Sequence, residues 1–286
     1  MVIDTAELEL LTAPAVEDAA RALREDVGSG DLTASLIDAN RAGAARVIVR
    51  EAAVLCGRPW VEATLRAVDP KISARWPLDE GARCRPSDAV LELQGPARSL
   101  LTAERTVINF LQLLSAIATK TATYVEAVRG TRAQIVDTRK TLPGLRMAQK
   151  YAVRMGGGTN HRIGLFDAVL IKENHIAAAG GVTAALEAAG RVAAGAKFVE
   201  IEVERLEQLD EALRAGATMV LLDNMGVATL NEAVRLNAGR AVLELSGGVT
   251  LDSVRALAET GVDRISIGAL TKDVKATDFS MRFAGI

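Results

Sequence analysis

Residues 197–224, KFVEIEVERLEQLDEALRAGATMVLLDN, contain two strand-like apolar runs with a helical segment between them. KFVEIEVE and MVLLDN are rich in aliphatic residues, whereas LEQLDEALRAG has its apolar positions at helical spacing. A strand followed by a helix and a second strand is typical of parallel strands joined by a crossover helix. The stretch therefore predicts an α/β fold.

The same alternation extends in both directions from residue 130 onward. Four further apolar runs indicate strands: RAQIVDT, DAVLIKE, AVLELSGG and RISIGALT. Helical segments separate most of the six runs: GLRMAQKYAVR, TAALEAAGRVAA, TLNEAVRLN and LDSVRALAET. Because a closed α/β barrel has eight strands, six strands predict an incomplete, open barrel.

The residues before this barrel have a different pattern. Residues 14–25 predict an opening helix with Pro14 in its first turn, and short extended pieces between residues 44 and 95 predict a small β-rich domain. A nearly unbroken helical pattern over residues 100–130 predicts a buried helical spine. We therefore expect an N-terminal domain over residues 1–115 and a catalytic domain over 116–274, and residues 275–286 could return to the first domain as an added strand.

A polar stripe runs along the predicted helical spine. Its members fall three or four residues apart: Glu104, Arg105, Asn109 and Gln112. An internal pairing of Glu104 with Arg105, or a subunit contact, would explain the stripe, and so would an Arg105 directed toward an anionic ligand. The spacing alone leaves these alternatives open.

Composition excludes several classes of protein. Aromatic residues make up only 3 % of the 286 residues and the charges nearly balance, so neither nucleic acid nor a membrane surface is an expected partner. The acidic N-terminus, MVIDTAELELLTAP, does not resemble an export signal, and no apolar window reaches the length of a membrane span. Cys56 and Cys84 lack metal-ligand spacing and are expected to be free, buried thiols of a cytoplasmic protein.

Positive charge is concentrated in residues 137–175, although the whole chain has a formal net charge of -2. Between residues 139 and 172 a single acid, Asp167, accompanies seven cations: Arg139, Lys140, Arg146, Lys150, Arg154, Arg162 and Lys172. Both histidines, His161 and His175, lie in the same stretch. This local concentration predicts a site for a polyanion.

The seven cations fall into two groups. Arg146, Lys150 and Arg154 are spaced four apart on a predicted helix, which favours an ordinary solvated face. The other four, Arg139, Lys140, Arg162 and Lys172, lie at the ends of apolar runs, where function is the favoured interpretation. The glycine triplet at residues 156–158 interrupts the stretch where a bulky residue would prevent close approach to a ligand.

Ligands of α/β folds bind beyond the carboxyl ends of the strands. The predicted strand ends supply, in chain order, Asp137, Thr138, Arg139 and Lys140; Lys172 and Glu173; Glu202 and Glu204; Asp223 and Asn224; Ser246, Gly247 and Gly248; and Ile267, Gly268 and Ala269. The two small-residue ends expose backbone N–H groups and favour a phosphate monoester, although tight turns would also explain the glycines.

Glu202 and Asp223 end two neighbouring predicted strands. Carboxylates in this arrangement can hold ribose hydroxyls, bind the Mg²⁺ carried by a pyrophosphate, or stabilise a cationic ribose. A salt bridge with Lys140 or Lys172 is the alternative, and both interpretations can hold together. The predicted face thus offers a phosphate cradle, acids for a sugar or metal, and cations for a second anionic substrate.

The motifs DTRKTLPGLR, GGGTNHRIGLFDAVLIKENH, EIEVE, LLDN, SGG and IGALT resemble those of the quinolinate phosphoribosyltransferase family. The resemblance extends from EDVGSGDLT, beginning at Glu25, to SMRF, ending at Phe283. It implies a homodimer whose subunits each have an N-terminal α/β sandwich and an open α/β barrel. It also implies a carboxylating pentosyltransferase that makes nicotinate mononucleotide, CO₂ and pyrophosphate from quinolinate and phosphoribosyl pyrophosphate, in de novo NAD synthesis.

The resemblance also implies site residues. The quinolinate carboxylates would be held by Arg139, His161, Arg162 and Lys172, with Arg105 contributed by the neighbouring subunit. Lys140, Glu202 and Asp223 would be the catalytic residues, facing the ribose and the Mg²⁺-bound pyrophosphate. The substrate pocket would further include Thr138 and, around the 5′-phosphate, Ser246, Gly247, Gly248, Ile267, Gly268 and Ala269.

Three other functions remain compatible with the residues. A paralogue associated with molybdenum transport shares the fold and much of the pattern. A Schiff-base aldolase could use Lys140 or Lys172 as its nucleophile. A phosphosugar-binding protein could have the cradle without the reaction.

Overall fold

The computed structural model describes residues 5–284, with side chains from Leu11 onward; residues 1–4 and 285–286, at the two ends of the predicted N-terminal domain and added strand, lie outside the described residues. Two compact units are present. The first comprises the described residues up to Ala122, Thr141–Gly157 and those from Thr271 onward, and the second comprises Thr123–Lys140 and Gly158–Leu270. The predicted boundary at residue 115 falls inside a continuous helix, which begins in the first unit.

The first unit contains an antiparallel sheet. Its helices are α1 (Thr5–Asp26), α2 (Arg58–Val68), α3 (Ala97–Ala127, up to Ala122 in this unit) and α4 (Arg146–Met155), with a short 3₁₀ turn at Ala34–Leu36. Its strands are β1 (Ala42–Val49), β2 (Ala53–Val54), β3 (Ser73–Arg75), β4 (Arg83–Cys84), β5 (Ala89–Pro96) and β12 (Phe279–Ala284). Four strands form one sheet in the order β12-β1-β5-β3, so the final strand pairs with the first, with Met281 opposite Val47.

The core of the first unit lies between this sheet and α3. The alternate residues of β1 and β5 that face inward, such as Val47 and Leu91, pack with Leu100, Val107 and Leu111 of the helix. Burying these aliphatic side chains stabilises the unit by roughly 2 kcal/mol each. The predicted helical spine is therefore confirmed as a buried helix.

One local prediction for this unit was wrong, and a second was incomplete. The opening helix begins at Thr5 rather than near residue 14, so Pro14 lies inside it. The predicted extended pieces between residues 44 and 95 are confirmed as β1 to β5, but the segment also contains α2, whose buried face includes Trp60, Val61 and Leu65. Pro59 in the first turn of α2 is a helix-start signal.

The second unit contains the predicted barrel sheet. Its strands are β6 (Gln134–Val136), β7 (Val169–Ile171), β8 (Val199–Val203), β9 (Met219–Asp223), β10 (Val242–Ser246) and β11 (Arg264–Ser266). The helices that follow them are α5 (Glu173–Ala179), α6 (Val182–Val192), α7 (Leu206–Arg214), α8 (Val227–Asn237), α9 (Leu251–Ala258) and α10 (Ala269–Lys272), the last of which continues beyond the unit.

All pairings in this sheet are parallel, in the order β6-β11-β10-β9-β8-β7. β6 and β7 form the two edges, so the six-stranded barrel is open, and the predicted fold class is confirmed. Because the strands are parallel, the residues that follow them share one edge, with Asp223 directly opposite Ser246 in register. No helix within residues 5–284 is long and apolar enough to cross a membrane.

Candidate active site

Two arginines lie close together at the open edge of the sheet. Arg139 follows β6, and Arg162, which is buried, lies in the segment before β7. The Arg162 guanidinium donates from Nη1 to the carbonyl of Ala168 at 3.1 Å. Burial lowers the pKa of Arg162, and the positive charge of Arg139 lowers it further. Two partly desolvated guanidinium groups that repel each other favour an anion between or beside them.

Lys172 and Glu202 form an ion pair across neighbouring strands. Lys172 follows β7, and its Nζ lies 2.7 Å from Oε2 of Glu202 on β8. The lysine side chain is 48 % exposed, so a ligand can reach it. The salt bridge that the sequence offered as the alternative role of Glu202 is therefore present.

Asp223, at the end of β9, lies within electrostatic reach of this pair. Partial burial raises its pKa, the charge of Glu202 raises it further, and Lys172 and Lys140 partly offset the rise. The second unit thus brings two carboxylates and two lysines together, as the strand ends predicted. Carboxylates that repel each other in this way fit a divalent cation carried in by a pyrophosphate, and Glu202 and Asp223 are the residues that could face it.

The residues that follow β6 lie against those that follow β11. A Cβ atom at Gly268 would lie 2.9 Å from Cδ of Lys140 and 3.5 Å from Oγ1 of Thr138. The Thr138 hydroxyl also accepts the backbone N–H of Lys140 at 3.1 Å. A side chain at Gly268 would therefore displace the stem of Lys140. On either side of it, the Ile267 N–H donates to the carbonyl of Val136 at 2.9 Å, and Ala269 begins α10.

Asn224 determines the shape of the turn at Ser246–Gly248, which follows β10. Gly247 and Gly248 have positive φ angles of 105° and 59°. The Asn224 backbone, itself at φ 54°, donates to the carbonyl of Ser246 at 2.9 Å, and its side chain occupies the space of a Cβ at Gly247. The same side chain donates to Oδ2 of Asp223 at 2.8 Å. Sequence reasoning assigned Asn224 no role, although an Asn directly after a strand and at positive φ is the residue type expected there.

The backbone N–H and both ring nitrogens of His161 have hydrogen-bond partners. Its backbone N–H donates to Oδ1 of the buried Asp137 at 2.8 Å, and Asn160 donates to the other oxygen of that carboxylate at 2.6 Å. Its Nδ1 accepts the backbone N–H of Arg162 at 2.8 Å, and Nε2 lies 2.8 Å from Oε2 of Glu200. Both ring nitrogens are engaged inside the unit, and the expectation that the ring holds a substrate carboxylate stays a prediction.

Two carboxylates lie beneath this histidine. Burial raises the pKa of Glu200, and burial together with the charge of Glu200 raises the pKa of Glu244. Glu244 also lies 2.8 Å from Nε of Arg264. The acceptor atoms of His161, Glu200 and Glu244 all lie within 4.8 Å of one another, which is close enough for a metal ion. However, a ring whose Nδ1 accepts an N–H bond carries its proton on Nε2, which leaves no lone pair there for a metal.

The second histidine has a local structural role. Nδ1 of His175 accepts the backbone N–H of Lys172 at 2.9 Å and so caps the start of α5. The loop before β7 is also fastened, because Asp167 accepts the backbone N–H groups of Ile163 and Gly164, each at 2.9 Å. Asp167 was noted only as the single acid among the cations.

The helix that carries the other three cations is not a solvated face. Lys150 is only 2 % exposed, Arg146 and Arg154 are half-buried, and burial lowers the pKa of Arg154. The prediction for these residues was wrong because helical spacing does not show which face packs; α4 contacts α1 within the first unit. Gly156, at the end of α4, likewise packs against α3: a Cβ there would collide with the backbone oxygen of Ala118 and lie 2.6 Å from Cβ of Thr121.

Arg105 belongs to the first unit. It is exposed on α3, near the similarly exposed Asn109, whose Oδ1 lies 3.4 Å from Nε2 of Gln112. Burial raises the pKa of the neighbouring Glu104, and the charge of Arg105 lowers it. Cys56 and Cys84 are free and buried, as expected.

Family models match nearly the whole chain. Residues 31–115 match "Quinolinate phosphoribosyl transferase, N-terminal domain", and residues 117–282 match "Quinolinate phosphoribosyl transferase, C-terminal domain". The boundary between the two matches falls within α3.

Curated relatives and solved structures agree with these matches. A nicotinate-nucleotide pyrophosphorylase [carboxylating] of Mycobacterium leprae is 44 % identical over 271 residues, which is 91 % of this chain and 94 % of the relative. The nicotinate-nucleotide pyrophosphorylase structure from Francisella tularensis has a TM-score of 0.93 at 42 % identity and covers 96 % of this chain and 97 % of that one. The structure from Ehrlichia chaffeensis has a TM-score of 0.88 at 36 % identity, with 99 % and 100 % covered. On its fold, its motifs and these matches over both domains, the chain belongs to the quinolinate phosphoribosyltransferase family.

Proposed function

We propose that the chain transfers the phosphoribosyl group of phosphoribosyl pyrophosphate to quinolinate and releases pyrophosphate, CO₂ and nicotinate mononucleotide, a step of de novo NAD synthesis. The observation that carries the proposal is that Arg162, Lys172 and Glu202 all lie within electrostatic reach of Glu200 in the second unit. Arg139 acts in turn on Arg162, and Glu202 on Asp223. The names of the similar proteins describe the same chemistry.

Quinolinate is a dianion with adjacent carboxylates. Arg139 and Arg162 hold one carboxylate with their paired guanidinium groups, whose mutual repulsion an anion relieves. Lys172 takes the other carboxylate, since its half-exposed ammonium can leave Glu202 without a large cost.

The phosphoribosyl donor lies toward the later strand ends. Lys140 faces the pyrophosphate, and the glycine-lined turns at Ser246–Gly248 and Ile267–Ala269 take the 5′-phosphate through backbone N–H groups. In the second turn these are the N–H groups of Gly268 and Ala269, because that of Ile267 donates to Val136. Glu202 and Asp223 would face a Mg²⁺ ion carried mainly by the pyrophosphate, and that ion would neutralise charge on the leaving group.

The ring nitrogen of quinolinate attacks C1 of the ribose as pyrophosphate leaves. Glu202 and Asp223 stabilise the positive charge that develops on the ribose. The ring is then a pyridinium, and its positive nitrogen stabilises the carbanion left when the adjacent carboxylate departs as CO₂. A proton from water then takes the place of the lost carboxylate and gives nicotinate mononucleotide. No side chain becomes covalently attached, and the lysines act by their charge.

The enzyme is a cytoplasmic homodimer in this proposal, and Arg105 of each subunit completes the quinolinate site of the other. The exposed position of Arg105 on α3 supports a role outside its own unit. If this is so, inactive Arg105→Ala and Lys172→Ala proteins, mixed and reassembled, regain part of the activity, because one site in the mixed dimer has both residues. No recovery in dimers shown to have exchanged subunits contradicts it.

The direct test is release of labelled CO₂ from carboxyl-labelled quinolinate. Release that requires both phosphoribosyl pyrophosphate and Mg²⁺ supports the proposal, and no release overturns it in favour of a binding protein or the molybdenum-associated paralogue. Borohydride trapping with a carbonyl substrate tests the aldolase alternative. We expect no adduct, because an ammonium held in an ion pair, as in Lys172, is a poor nucleophile.

A further inference from the structure

His161 lies between a buried acid and a substrate-binding arginine. Its Nε2 is 2.8 Å from Oε2 of Glu200, and its Nδ1 accepts the backbone N–H of Arg162 at 2.8 Å. A backbone N–H can only donate, so Nδ1 has no proton. The neutral ring must therefore carry its proton on Nε2 and donate it to Glu200.

Three contacts hold the ring and the backbone of His161 in place. The Phe198 ring packs edge-on against it, with centroids 5.1 Å apart. The Asp137 carboxylate holds its backbone N–H at 2.8 Å. Glu200 is 0 % exposed and cannot exchange its bond to Nε2 for one to bulk water. The two hydrogen bonds of the imidazole thus connect the buried Glu200 to the backbone of Arg162.

Arg162 is fastened at a second point, where its Nη1 donates to the carbonyl of Ala168 at 3.1 Å. The backbone of Arg162 is held through His161, and its guanidinium is held by the carbonyl of Ala168. The direction of the guanidinium depends on both attachments, and only the second involves the side chain itself.

We propose that Glu200 is a positioning residue for Arg162: by accepting the Nε2 proton of His161 it fixes the tautomer whose Nδ1 holds the Arg162 backbone. This inference rests on the proposed function, in which Arg162 binds a carboxylate of quinolinate.

The tautomer is directly measurable, because His161 and His175 are the only histidines of the chain. In protein with ¹⁵N-labelled histidine, the signals of His161 are those lost in His161→Asn. We expect an Nε2 that carries a proton and an Nδ1 that does not, both without ligand and with saturating quinolinate in the absence of the donor. A proton on Nδ1 in either state, or on both nitrogens, overturns the inference.

Kinetics test the effect on substrate binding. Glu200→Leu removes the acceptor, and we expect the KM for quinolinate to rise about tenfold, the equivalent of one lost buried hydrogen bond, with kcat and the KM for the donor within about twofold. Glu200→Gln keeps a carbonyl oxygen for Nε2, so it should retain both the tautomer and a nearly normal KM. An unchanged quinolinate KM in folded Glu200→Leu overturns the inference. If that variant does not fold, a Glu200→Gln protein with the Nδ1–H tautomer and normal KM overturns it equally.

Asn237→Ala is the matched control for general loosening of the second unit. The buried Asn237 side chain exchanges hydrogen bonds of 2.8 and 2.9 Å with the backbone of Ala241, at the opposite end of β10 from the site. This variant should melt earlier with an unchanged quinolinate KM, and a rise equal to that in Glu200→Leu overturns the positioning role. Absence of turnover in the wild type would instead refute the proposed function, and the tautomer measurement does not depend on turnover.

Discussion

The ammonium of Lys172 lies 2.7 Å from Oε2 of Glu202, so a cation assigned to quinolinate is paired, before substrate binds, with an acid assigned to the ribose. Lys172 is 48 % exposed, and an ion pair this open to water contributes about 1 kcal/mol or less. A substrate carboxylate can therefore replace Glu202 as the partner of Lys172. The exchange would release Glu202 toward the donor as quinolinate binds, which links the two halves of the site.

The pair predicts opposite effects on the two kinetic constants. Glu202→Gln removes the competing acid and a transition-state charge, so the KM for quinolinate should fall about two- to threefold while kcat falls on the order of a hundredfold. Steady-state kinetics with each substrate varied measures both. Glu259→Gln is the control, since it breaks an ion pair of the same 2.7 Å length between Arg255 of α9 and the residue that follows the helix, and it should change neither constant. A quinolinate KM that rises in Glu202→Gln contradicts the exchange.

The two arginines give a second prediction, about geometry as well as charge. Arg162→Ala should raise the KM for quinolinate on the order of a hundredfold, because charge-assisted hydrogen bonds contribute about 2–3 kcal/mol. Arg162→Lys keeps the charge but loses the planar donor pair, so its KM for quinolinate should be intermediate, raised about tenfold.

Arg139→Ala and Lys172→Ala should also act mainly on quinolinate binding, whereas Asp223→Ala lowers turnover. Arg191→Ala, an exposed change on α6, is the control, and unchanged quinolinate affinity in all three basic variants refutes the assignment.

The sequence was sufficient to predict the second unit because its elements are defined locally. Each of the six strands is a short apolar run followed by a turn or helix signal, and the parallel order then places the strand ends on one edge. Arg139, Lys172, Glu202 and Asp223 could therefore be assigned to a common site from strand ends alone. The resemblance to the family added the substrate and the roles.

What could not be predicted depends on partners distant in sequence. The ring partners of His161, for example, are Glu200, 39 residues away, and the next backbone N–H. Lys150 looked solvated because its charged neighbours share one face of α4, and only packing shows that it is 2 % exposed. Pattern shows which residues can share a face and does not show what that face meets.

Gly268 provides a third prediction. Its φ angle is not in the left-handed region, so Gly268→Ala adds no backbone strain, and the new Cβ would lie 2.9 Å from Cδ of Lys140. The lysine side chain must move, and we expect kcat to fall about tenfold with little change in stability. In a Lys140→Ala background the same change should have no further effect, since the displaced group is gone. Additive losses in the double variant would show that Gly268 acts through another contact.

Gly156 provides a fourth prediction, this time about stability. An alanine there would collide with the carbonyl oxygen of Ala118 and lie 2.6 Å from Cβ of Thr121, both on α3. Because that backbone cannot move freely, Gly156→Ala should destabilise the first unit by about 1–3 kcal/mol. Gly190→Ala, at an exposed and unobstructed position inside α6, should instead stabilise by about 0.5–1 kcal/mol. Calorimetric melting compares the two, and an unchanged melting temperature for Gly156→Ala contradicts the packing role.

A final prediction concerns Glu80, whose carboxylate accepts the Gly57 N–H at 2.7 Å and the Tyr151 hydroxyl at 2.9 Å. Burial raises the pKa of Glu80 above its ordinary value, despite these bonds. The native state therefore binds this proton more tightly than the unfolded chain does. The resulting stability is fully present below the unfolded pKa, about 4.3, and is lost as the pH rises through the folded pKa.

The variant Glu80→Gln keeps an acceptor oxygen but cannot titrate, so it isolates this contribution. The difference in unfolding free energy between wild type and Glu80→Gln should shift against the wild type as the pH rises above about 4.3 and become constant once Glu80 is ionised. Both tryptophans, Trp60 and Trp76, lie in the first unit, and Trp60 packs on Tyr151 with ring centroids 5.4 Å apart. Urea unfolding followed by tryptophan fluorescence between pH 4 and 8 therefore reports on the unit that contains Glu80. A difference that does not change over this range, or that changes in favour of the wild type, would show that burial does not hold the proton on Glu80.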